Sequence, residues 1–168
     1  MKIFTVVTIF FLTTSSMFAQ LSFNANAAGN ILPALCITKA TGILADLSFG
    51  DIVPGATNAA SVAITADAAG TRSNGDGNAT LVTSNIGHSA KFNIAGIQGT
   101  TVNLALSQAE ITLSDGSGHT MGCTLVLSSS TSEITGGSAI VYVGGTLFIA
   151  ANQAVGHYTQ MFNLTAQY

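Results

Sequence analysis

The sequence predicts an all-β fold of antiparallel strands, and three observations carry this prediction. Short runs rich in Val, Ile, Leu, Thr and Phe alternate with clusters of Gly, Asn, Asp and Ser, which is the spacing of an all-β sandwich or barrel. No segment keeps an apolar period of 3.6 residues, so no long amphipathic helix is predicted. The connections are short, and short connections join sequential strands as antiparallel hairpins and Greek keys.

The apolar runs define the individual strands, and polar stretches rich in glycine define the turns. Strands are predicted over residues 21–27, 31–39, 43–49, 59–66, 78–84, 89–95, 101–106, 109–113, 119–127, 139–143, 145–151 and 157–168. The main turns are predicted over residues 50–58, 70–78, 114–119 and 128–138. The chain has no internal repeat and no proline-rich linker, which indicates one domain.

The first residues have the layout of a secretory signal peptide. Lys2 precedes an apolar run from Ile3 to Leu12, and small residues then lead to Ala19, where cleavage is predicted. The run is about half of the roughly 20 residues that a membrane-spanning helix needs, which favours a signal peptide over an anchor. Residues 1–19 are therefore predicted to be a signal peptide and residues 20–168 a single domain that is exported to the periplasm, the cell surface or the medium.

The charge content also indicates an extracellular protein. Charged residues make up 7% of the sequence, far below the quarter or so that is usual for soluble domains. Without Lys2, the basic residues are Lys39, Arg72 and Lys91, against seven acidic residues. This balance argues against nucleic acid and anionic lipid surfaces as partners.

Cys36 and Cys123 are the only cysteines in the sequence. In an exported chain an even number of cysteines favours a disulfide, which we predict between these two residues. Such a bridge would stabilise the fold by roughly 4 to 5 kcal/mol on the chain-entropy model. The alternative is a pair of unpaired buried cysteines. No Cys or His lies at ligand spacing from either residue, so no zinc site is predicted.

The closing stretch, residues 156–168, nearly alternates between apolar and polar side chains. This period of two predicts a strand that is buried on one face. The residues predicted on the covered face that also serve as candidate assembly contacts are Tyr158, Phe162, Leu164 and Tyr168.

The stretch that follows the predicted cleavage point has the same one-sided pattern. Its candidate assembly residues, on one face, are Leu21, Phe23, Ala25 and Ala27. The two terminal stretches are either the ordinary first and last strands of a closed sandwich, or residues 20–28 act as a donor strand that pairs with a neighbouring molecule. The second alternative gains weight because the chain has little Lys or Pro to protect its sheet edges.

Two terminal motifs resemble a known family. The stretch Ile37–Gly55 contains Leu47, Phe49, Gly50 and Ile52 in a Leu-x-Phe-Gly-x-Ile pattern, and Gly144–Tyr168 contains a Gly-x-Thr-Leu strand, an Asn-Gln turn and a Gly-x-Tyr motif. Both resemble the hallmarks of an exported bacterial family, domain of unknown function 4402. The resemblance implies an immunoglobulin-like antiparallel β-sandwich, similar in outline to pilin-like fimbrial subunits. The family has no settled activity, so the resemblance indicates the fold rather than the function.

The last strand is also similar to the closing motif of chaperone-usher pilins, in which a glycine precedes alternating apolar residues and a tyrosine near the end. This similarity implies a periplasmic chaperone as a partner.

No motif predicts a catalytic or metal site. Asn74, Asp76 and Asn78 alternate as in a calcium loop, but Asn85 stands where the closing glutamate would be. His88, His119 and His157 are predicted beside turns, away from any nucleophile elbow. Glu110 and Glu133, the only glutamates, lie in no motif of paired carboxylates. We therefore predict no catalytic residue, no cofactor and no metal.

The sequence supports two main functional hypotheses. The leading one is an exported structural or adhesive surface protein, a subunit of a fimbria-like fibre that associates with its own kind or with related subunits through terminal β-strands. The alternative is a monomeric secreted or periplasmic binding module with an unknown ligand. An enzyme is the third and least supported class.

Overall fold

The computed structural model describes residues 23–168, except for the side chains of Ile43 and Leu44. The predicted signal peptide, residues 1–19, and Leu21 lie outside the described residues. The chain divides into two units, Met1–Ile31 and Leu32–Tyr168. In the first unit, residues 23–31 carry no helix, strand or turn and their side chains are exposed. The second unit is an antiparallel β-sandwich, which confirms the predicted fold class.

Every strand of the second unit pairs antiparallel with its neighbours. A short 3-10 helix, Gly42–Ala45, follows the first strand. The strands are β1 Cys36–Lys39, β2 Ile52–Val53, β3 Ala60–Ile64, β4 Arg72–Asn74, β5 Thr80–Leu81, β6 Ala90–Ala95, β7 Thr101–Leu106, β8 Glu110–Ser114, β9 Thr120–Leu127, β10 Thr131–Glu133, β11 Ser138–Ile149 and β12 Leu164–Gln167.

The described strands form two facing sheets and a small ribbon. The main sheet has the order β1-β6-β11-β3-β4, and β9 joins it on β11 with β8 beyond β9. The second sheet has the order β10-β7-β12, and β2 pairs with β5 as a two-stranded ribbon. β12 is an edge strand of the second sheet in the described part of the chain.

β11 is the central strand and changes its partner halfway along. Its first half pairs with β6 and its second half with β3. At the change, an added Cβ on Gly144 would lie 2.3 Å from the Ile64 carbonyl oxygen, and one on Gly145 would lie 2.3 Å from the Thr124 oxygen. The two glycines therefore permit a close approach of neighbouring backbones. The prediction of two strands, 139–143 and 145–151, is wrong, because this glycine pair lies inside a single strand.

Two clusters of apolar side chains form the core. One is shared by β3, β6, β8, β9 and the second half of β11. The other lies between β6, the first half of β11 and β7, and its buried members are Ile94, Val102, Leu104, Ile134, Ala139 and Val141.

Several predicted strands are shorter than expected or missing. The described residues of the predicted strand 21–27 form no strand, and the predicted strand 43–49 is replaced by the 3-10 helix and an isolated bridge between Ser48 and His88. β4 and β10 lie within segments predicted as turns. Local composition does not reveal these short strands, because their partners supply the pairing.

The predicted disulfide is wrong, because Cys36 and Cys123 are both free. Cys36 pairs with Ala95, which in turn pairs with Ser138 of β11. Cys123 pairs with Leu147 of the same strand. These two positions on β11 are separated by about 30 Å of extended chain, whereas a disulfide needs Cα atoms within roughly 7 Å of each other.

Candidate functional site

The candidate functional site is the seam, which we define as the gap between β1 of the main sheet and β12 of the second sheet. Among the described strands, β1 pairs only with β6, and β12 pairs only with β7. Ile37 of β1 and Leu164 and Ala166 of β12 are half-buried against the same core cluster. The seam is therefore lined by apolar side chains and flanked by one open edge from each sheet.

The open edge of β1 follows from its hydrogen-bond register. The amide of Ala40 donates to the Lys91 carbonyl at 2.9 Å, and bonding to one neighbour recurs at every second residue of an antiparallel strand. The amides and carbonyls of Ile37 and Lys39 therefore face away from β6. Neither residue has another backbone partner in the described part of the chain.

The open edge of β12 follows in the same way. The Ser107 amide donates to the Asn163 carbonyl at 3.0 Å, which leaves the backbone groups of Leu164 and Ala166 facing away from β7. Within residues 23–168 these groups also lack a backbone partner. The seam is therefore flanked on both sides by backbone groups that do not bond to their own sheet.

The seam is narrow where the chain ends. The hydroxyl of Tyr168 accepts a hydrogen bond from the Ile97 amide at 3.0 Å. An added Cβ on Gly96 would lie 2.7 Å from the Tyr168 hydroxyl oxygen and 3.1 Å from a methyl carbon of Leu35. The side chain of Tyr168 is therefore anchored by its hydroxyl group.

At its other end, near Lys39, Phe162 and Asn163, the seam meets a cavity of about 980 Å³. The floor of the cavity is the inner face of the main sheet, and segments 46–54 and 153–163 cover it. Phe162 packs edge-on against Phe92, with ring centroids 6.3 Å apart. The apolar residues of the floor are Phe92, Ile111, Leu113, Met121, Leu147 and Ile149.

A hydrogen-bonded turn fixes the segment 153–163, which we call the C-terminal cover of the cavity. The Tyr158 hydroxyl donates to the Ala154 carbonyl at 2.8 Å and accepts a bond from the Gln153 amide group at 3.0 Å. Thr159 and Ser114 exchange two backbone hydrogen bonds of 3.0 and 3.1 Å, which attach the cover to β8. The tyrosine of the Gly-x-Tyr motif therefore closes the loop between residues 153 and 158.

The Leu-x-Phe-Gly-x-Ile motif fixes the segment 46–54, which we call the N-terminal cover of the cavity. Phe49 is buried, and Gly50 adopts a positive φ of 71°. An added Cβ on Gly50 would lie 2.2 Å from the Asn85 carbonyl oxygen. The Arg72 guanidinium bridges the same two loops through their backbone carbonyls.

Three turn carboxylates have lowered pKa values. Hydrogen bonds from the Gly70 amide and the Thr65 hydroxyl lower the pKa of Asp67, and bonds from the Asn78 amide and from Ser61 lower that of Asp76. The His119 ring, which lies 2.7 Å from the carboxylate, lowers the pKa of Asp115. Asp115 follows Ser114, which carries the bridge to the C-terminal cover.

These shifts predict acid sensitivity. A carboxyl group with a lowered folded-state pKa contributes stability above its ordinary value of 3.8 and loses that contribution as the pH falls through the folded pKa. The free energy of unfolding, measured by urea titration, should therefore fall as the pH is lowered below about 4. The variants Asp67→Asn and Asp115→Asn should show a shallower fall, and an equal fall in both variants and the parent would contradict the assignment.

The glutamate and histidine side chains are spread over the fold. Glu110 lies on β8 and Glu133 on β10. His119 bonds to Asp115, and His157 lies on the C-terminal cover. Within the described residues, no three His, Cys, Asp or Glu side chains are grouped so that they could hold a metal ion.

The two cysteines differ in their surroundings. Burial raises the pKa of the Cys123 thiol to about 11, so this thiol stays protonated at neutral pH. Cys36 is exposed on β1, beside the seam.

The predicted assembly residues fall into two groups. Tyr158, Phe162 and Leu164 are half-buried, as the alternation predicts, and Tyr168 is 49% exposed although its hydroxyl is bonded. On the N-terminal side, Phe23 is 84% exposed, and Ala25 and Ala27 are also exposed.

The sequence did not reveal that β1 is the partner edge of the seam. The unpaired side of a strand depends on which other strands are its neighbours, and no local pattern in Ile37 to Lys39 reports this.

No helix in the described part of the chain is long and apolar enough to cross a membrane. No curated protein and no solved structure shows significant similarity to the chain. A family model described as "domain of unknown function (DUF4402)" matches residues 37–168. This match begins at Ile37 in β1 and ends at Tyr168, so it includes most of β1 and all of β12. It covers well over half of the sequence, and the chain therefore belongs to the DUF4402 family.

Proposed function

We propose that this protein is an exported structural or adhesive surface protein, a subunit of a fimbria-like fibre whose copies associate through terminal β-strands. The observation that carries this proposal is the seam, with its two open edges above a shared apolar core. Unpaired edges of this kind promote pairing with another chain. Natural proteins usually protect them with charges, prolines or a covering element.

The protection of these edges is sparse. β12 has the sequence Leu-Thr-Ala-Gln and carries no charge. Lys39 is the one charged residue of β1, and its ammonium group is paired with Asp46 at 2.6 Å. Another strand can therefore pair with β12 without displacing a charged side chain.

The N-terminal segment supplies the complementary feature. Residues 20–28 alternate apolar and polar side chains, and the described residues from 23 onward form no strand before β1. No backbone hydrogen bond of residues 23–28 is formed within the described part of the chain. An added strand gains affinity from backbone hydrogen bonds and specificity from alternate side chains. Export to the cell surface, with a periplasmic chaperone to hold the subunit before assembly, is part of the same proposal.

The test compares the mature protein, residues 20–168, with a variant that lacks residues 20–28. Light scattering and electron microscopy should detect concentration-dependent oligomers or fibres of the mature protein and a monomer of the shortened one. A synthetic peptide of residues 20–28 should raise the melting temperature of the shortened protein, because a bound ligand stabilises the folded state.

A matched pair of variants of full length controls for the deletion. Leu21→Ser with Phe23→Ser removes the apolar face and should abolish association, whereas Asn24→Ser with Asn26→Ser changes the polar face and should leave it intact. A mature protein that stays monomeric at every concentration, with no effect of the deletion, would contradict the proposal.

The cavity favours a second candidate, a monomeric binding module. Its volume of about 980 Å³ lies at the upper end of the range for small-molecule sites, and its floor is apolar, as in many such sites. The same measurements separate the two candidates, because a binding module would remain monomeric and would not respond to the peptide.

A further inference from the structure

We propose that the seam is occupied by residues 20–28 of a second copy of this chain, running antiparallel to β1, with Phe23 at the cavity and Ala25 and Ala27 towards Tyr168. This inference rests on the self-association proposed above and names its acceptor site, its occupant and the direction of the added strand.

Hydrogen bonding is the first reason. Ile37 and Lys39 face the seam with free backbone groups from one side, and Leu164 and Ala166 do so from the other. One inserted strand pairs with both edges and satisfies both sets of groups. It also joins the two sheets across their open side, which covers the half-buried apolar side chains beneath.

Side-chain size sets the direction. The seam is wide at the cavity, near Lys39 and Phe162, and narrow at Tyr168, where the ring already contacts Gly96. In the occupant the large apolar residues Leu21 and Phe23 come first and the small ones, Ala25 and Ala27, follow. The large residues fit the wide end only when the segment runs from the cavity towards Tyr168, which is antiparallel to β1.

Charge is compatible with this occupant. No residue from Gln20 to Leu35 is charged, so insertion buries no ionic group, and such burial would be costly. The outward-facing residues of the segment, Ser22, Asn24 and Asn26, remain in water.

A second copy is the occupant because the proposed function is association between copies through terminal strands. Pro33 favours extended backbone for itself and for Leu32, which suits a segment that reaches a neighbouring molecule. Each copy then offers one segment and one acceptor, and such head-to-tail contacts form rings or open fibres.

The native thiol of Cys36 provides the test, because it is exposed on the outer face of β1. With Phe23 opposite Lys39, the antiparallel register brings Asn26 opposite Cys36, while Ser22 lies about 13 Å further along the strand. In the mature protein, Asn26→Cys should form a disulfide with Cys36 of another copy under mild oxidation. Ser22→Cys is the matched control and should form at most traces.

The readout is a non-reducing gel with mass spectrometry of the linked peptides. The expected result for Asn26→Cys is a ladder of covalent oligomers that collapses on reduction, and Asn26→Cys with Cys36→Ser should lose it. Stronger linkage from Ser22→Cys would overturn the direction. A link within one chain would overturn the second copy as the occupant.

The outcomes also separate this inference from the proposed function. Oligomers that depend on residues 20–28 but give no link from either cysteine variant would overturn the seam as acceptor and leave the fibre proposal standing. A protein that forms no oligomers at all would overturn both.

An edge-blocking pair provides an independent test on the protein that lacks residues 20–28. Ala166→Pro removes a seam-facing amide of β12, and proline is tolerated at such edge positions. Thr112→Pro removes an amide on the edge of β8 that faces away from β9. Thr112 faces the same way as Ser114, two residues further on, whose amide bonds to Thr159 rather than to β9. Ala166→Pro should abolish the stabilisation by the 20–28 peptide and Thr112→Pro should preserve it, and equal effects of the two would overturn the inference.

Discussion

Replacing Arg72 with Met is expected to lower the free energy of unfolding by about 3 kcal/mol. Its guanidinium donates to the carbonyls of Phe49 at 3.0 Å, Asp51 at 3.2 Å, Asn85 at 3.1 Å and Val82 at 2.5 Å. The bonds to Phe49 and Val82 are partly buried. A partly buried carbonyl that loses its donor costs about 1 to 3 kcal/mol, and water can replace the donor at the two exposed ones.

Two controls isolate this effect from a change of net charge. Arg72→Lys keeps the charge, but one ammonium group cannot serve four carbonyls in two loops, so we expect an intermediate loss. Lys91→Met removes the same charge from β6, and the Lys91 ammonium group forms no hydrogen bond with another described residue. Urea unfolding of all three variants measures the losses, and a loss in Arg72→Met no larger than that in Lys91→Met would disprove the role of the guanidinium as a bridge.

Replacing Gly144 with Ala is expected to destabilise the fold by about 3 kcal/mol. The new Cβ would lie 2.3 Å from the Ile64 carbonyl oxygen and 2.7 Å from the Ala66 amide nitrogen. Both atoms belong to the backbone, so relief requires a shift of β3 away from β11 rather than a rotation of a side chain. Because β11 pairs with β3, β6 and β9, such a shift disturbs side-chain packing on both faces of the main sheet.

Gly122 offers a matched control on the neighbouring strand β9. There the nearest atom to an added Cβ is a ring carbon of Phe148 at 3.9 Å, which is ordinary van der Waals contact. Gly122→Ala should be neutral or stabilising by about 0.5 to 1 kcal/mol, since alanine loses less backbone entropy on folding. Thermal unfolding compares the two variants, and similar melting temperatures would refute the steric explanation.

Local patterns in the sequence predicted the fold class and several of its strands. The strand 101–106 was predicted with the bounds that β7 has, and 89–95 and 119–127 match β6 and β9 to within one residue. The alternation from Tyr158 to Ala166 correctly predicted which side chains are half-buried, apart from the exposed Gln160. These successes share one cause, since side chains of an extended chain point to opposite faces at every step, whatever its partners are.

Features that depend on distant partners were not predicted from the same patterns. The glycines at 144 and 145 indicated a break, but they lie within β11 because backbone from β3 and β9 approaches there. Cys36 and Cys123 formed the only available pair in the sequence, and the order of strands separates them.

By itself, the sequence determined that the chain forms antiparallel sheets, that its last strand is covered on one face, and that it belongs to its family through the two terminal motifs. The tertiary structure alone decided that β1 and β12 flank an open seam above one core. The physical reason is that period and turn chemistry are properties of adjacent residues, whereas an unpaired edge is defined by the strand that is absent beside it.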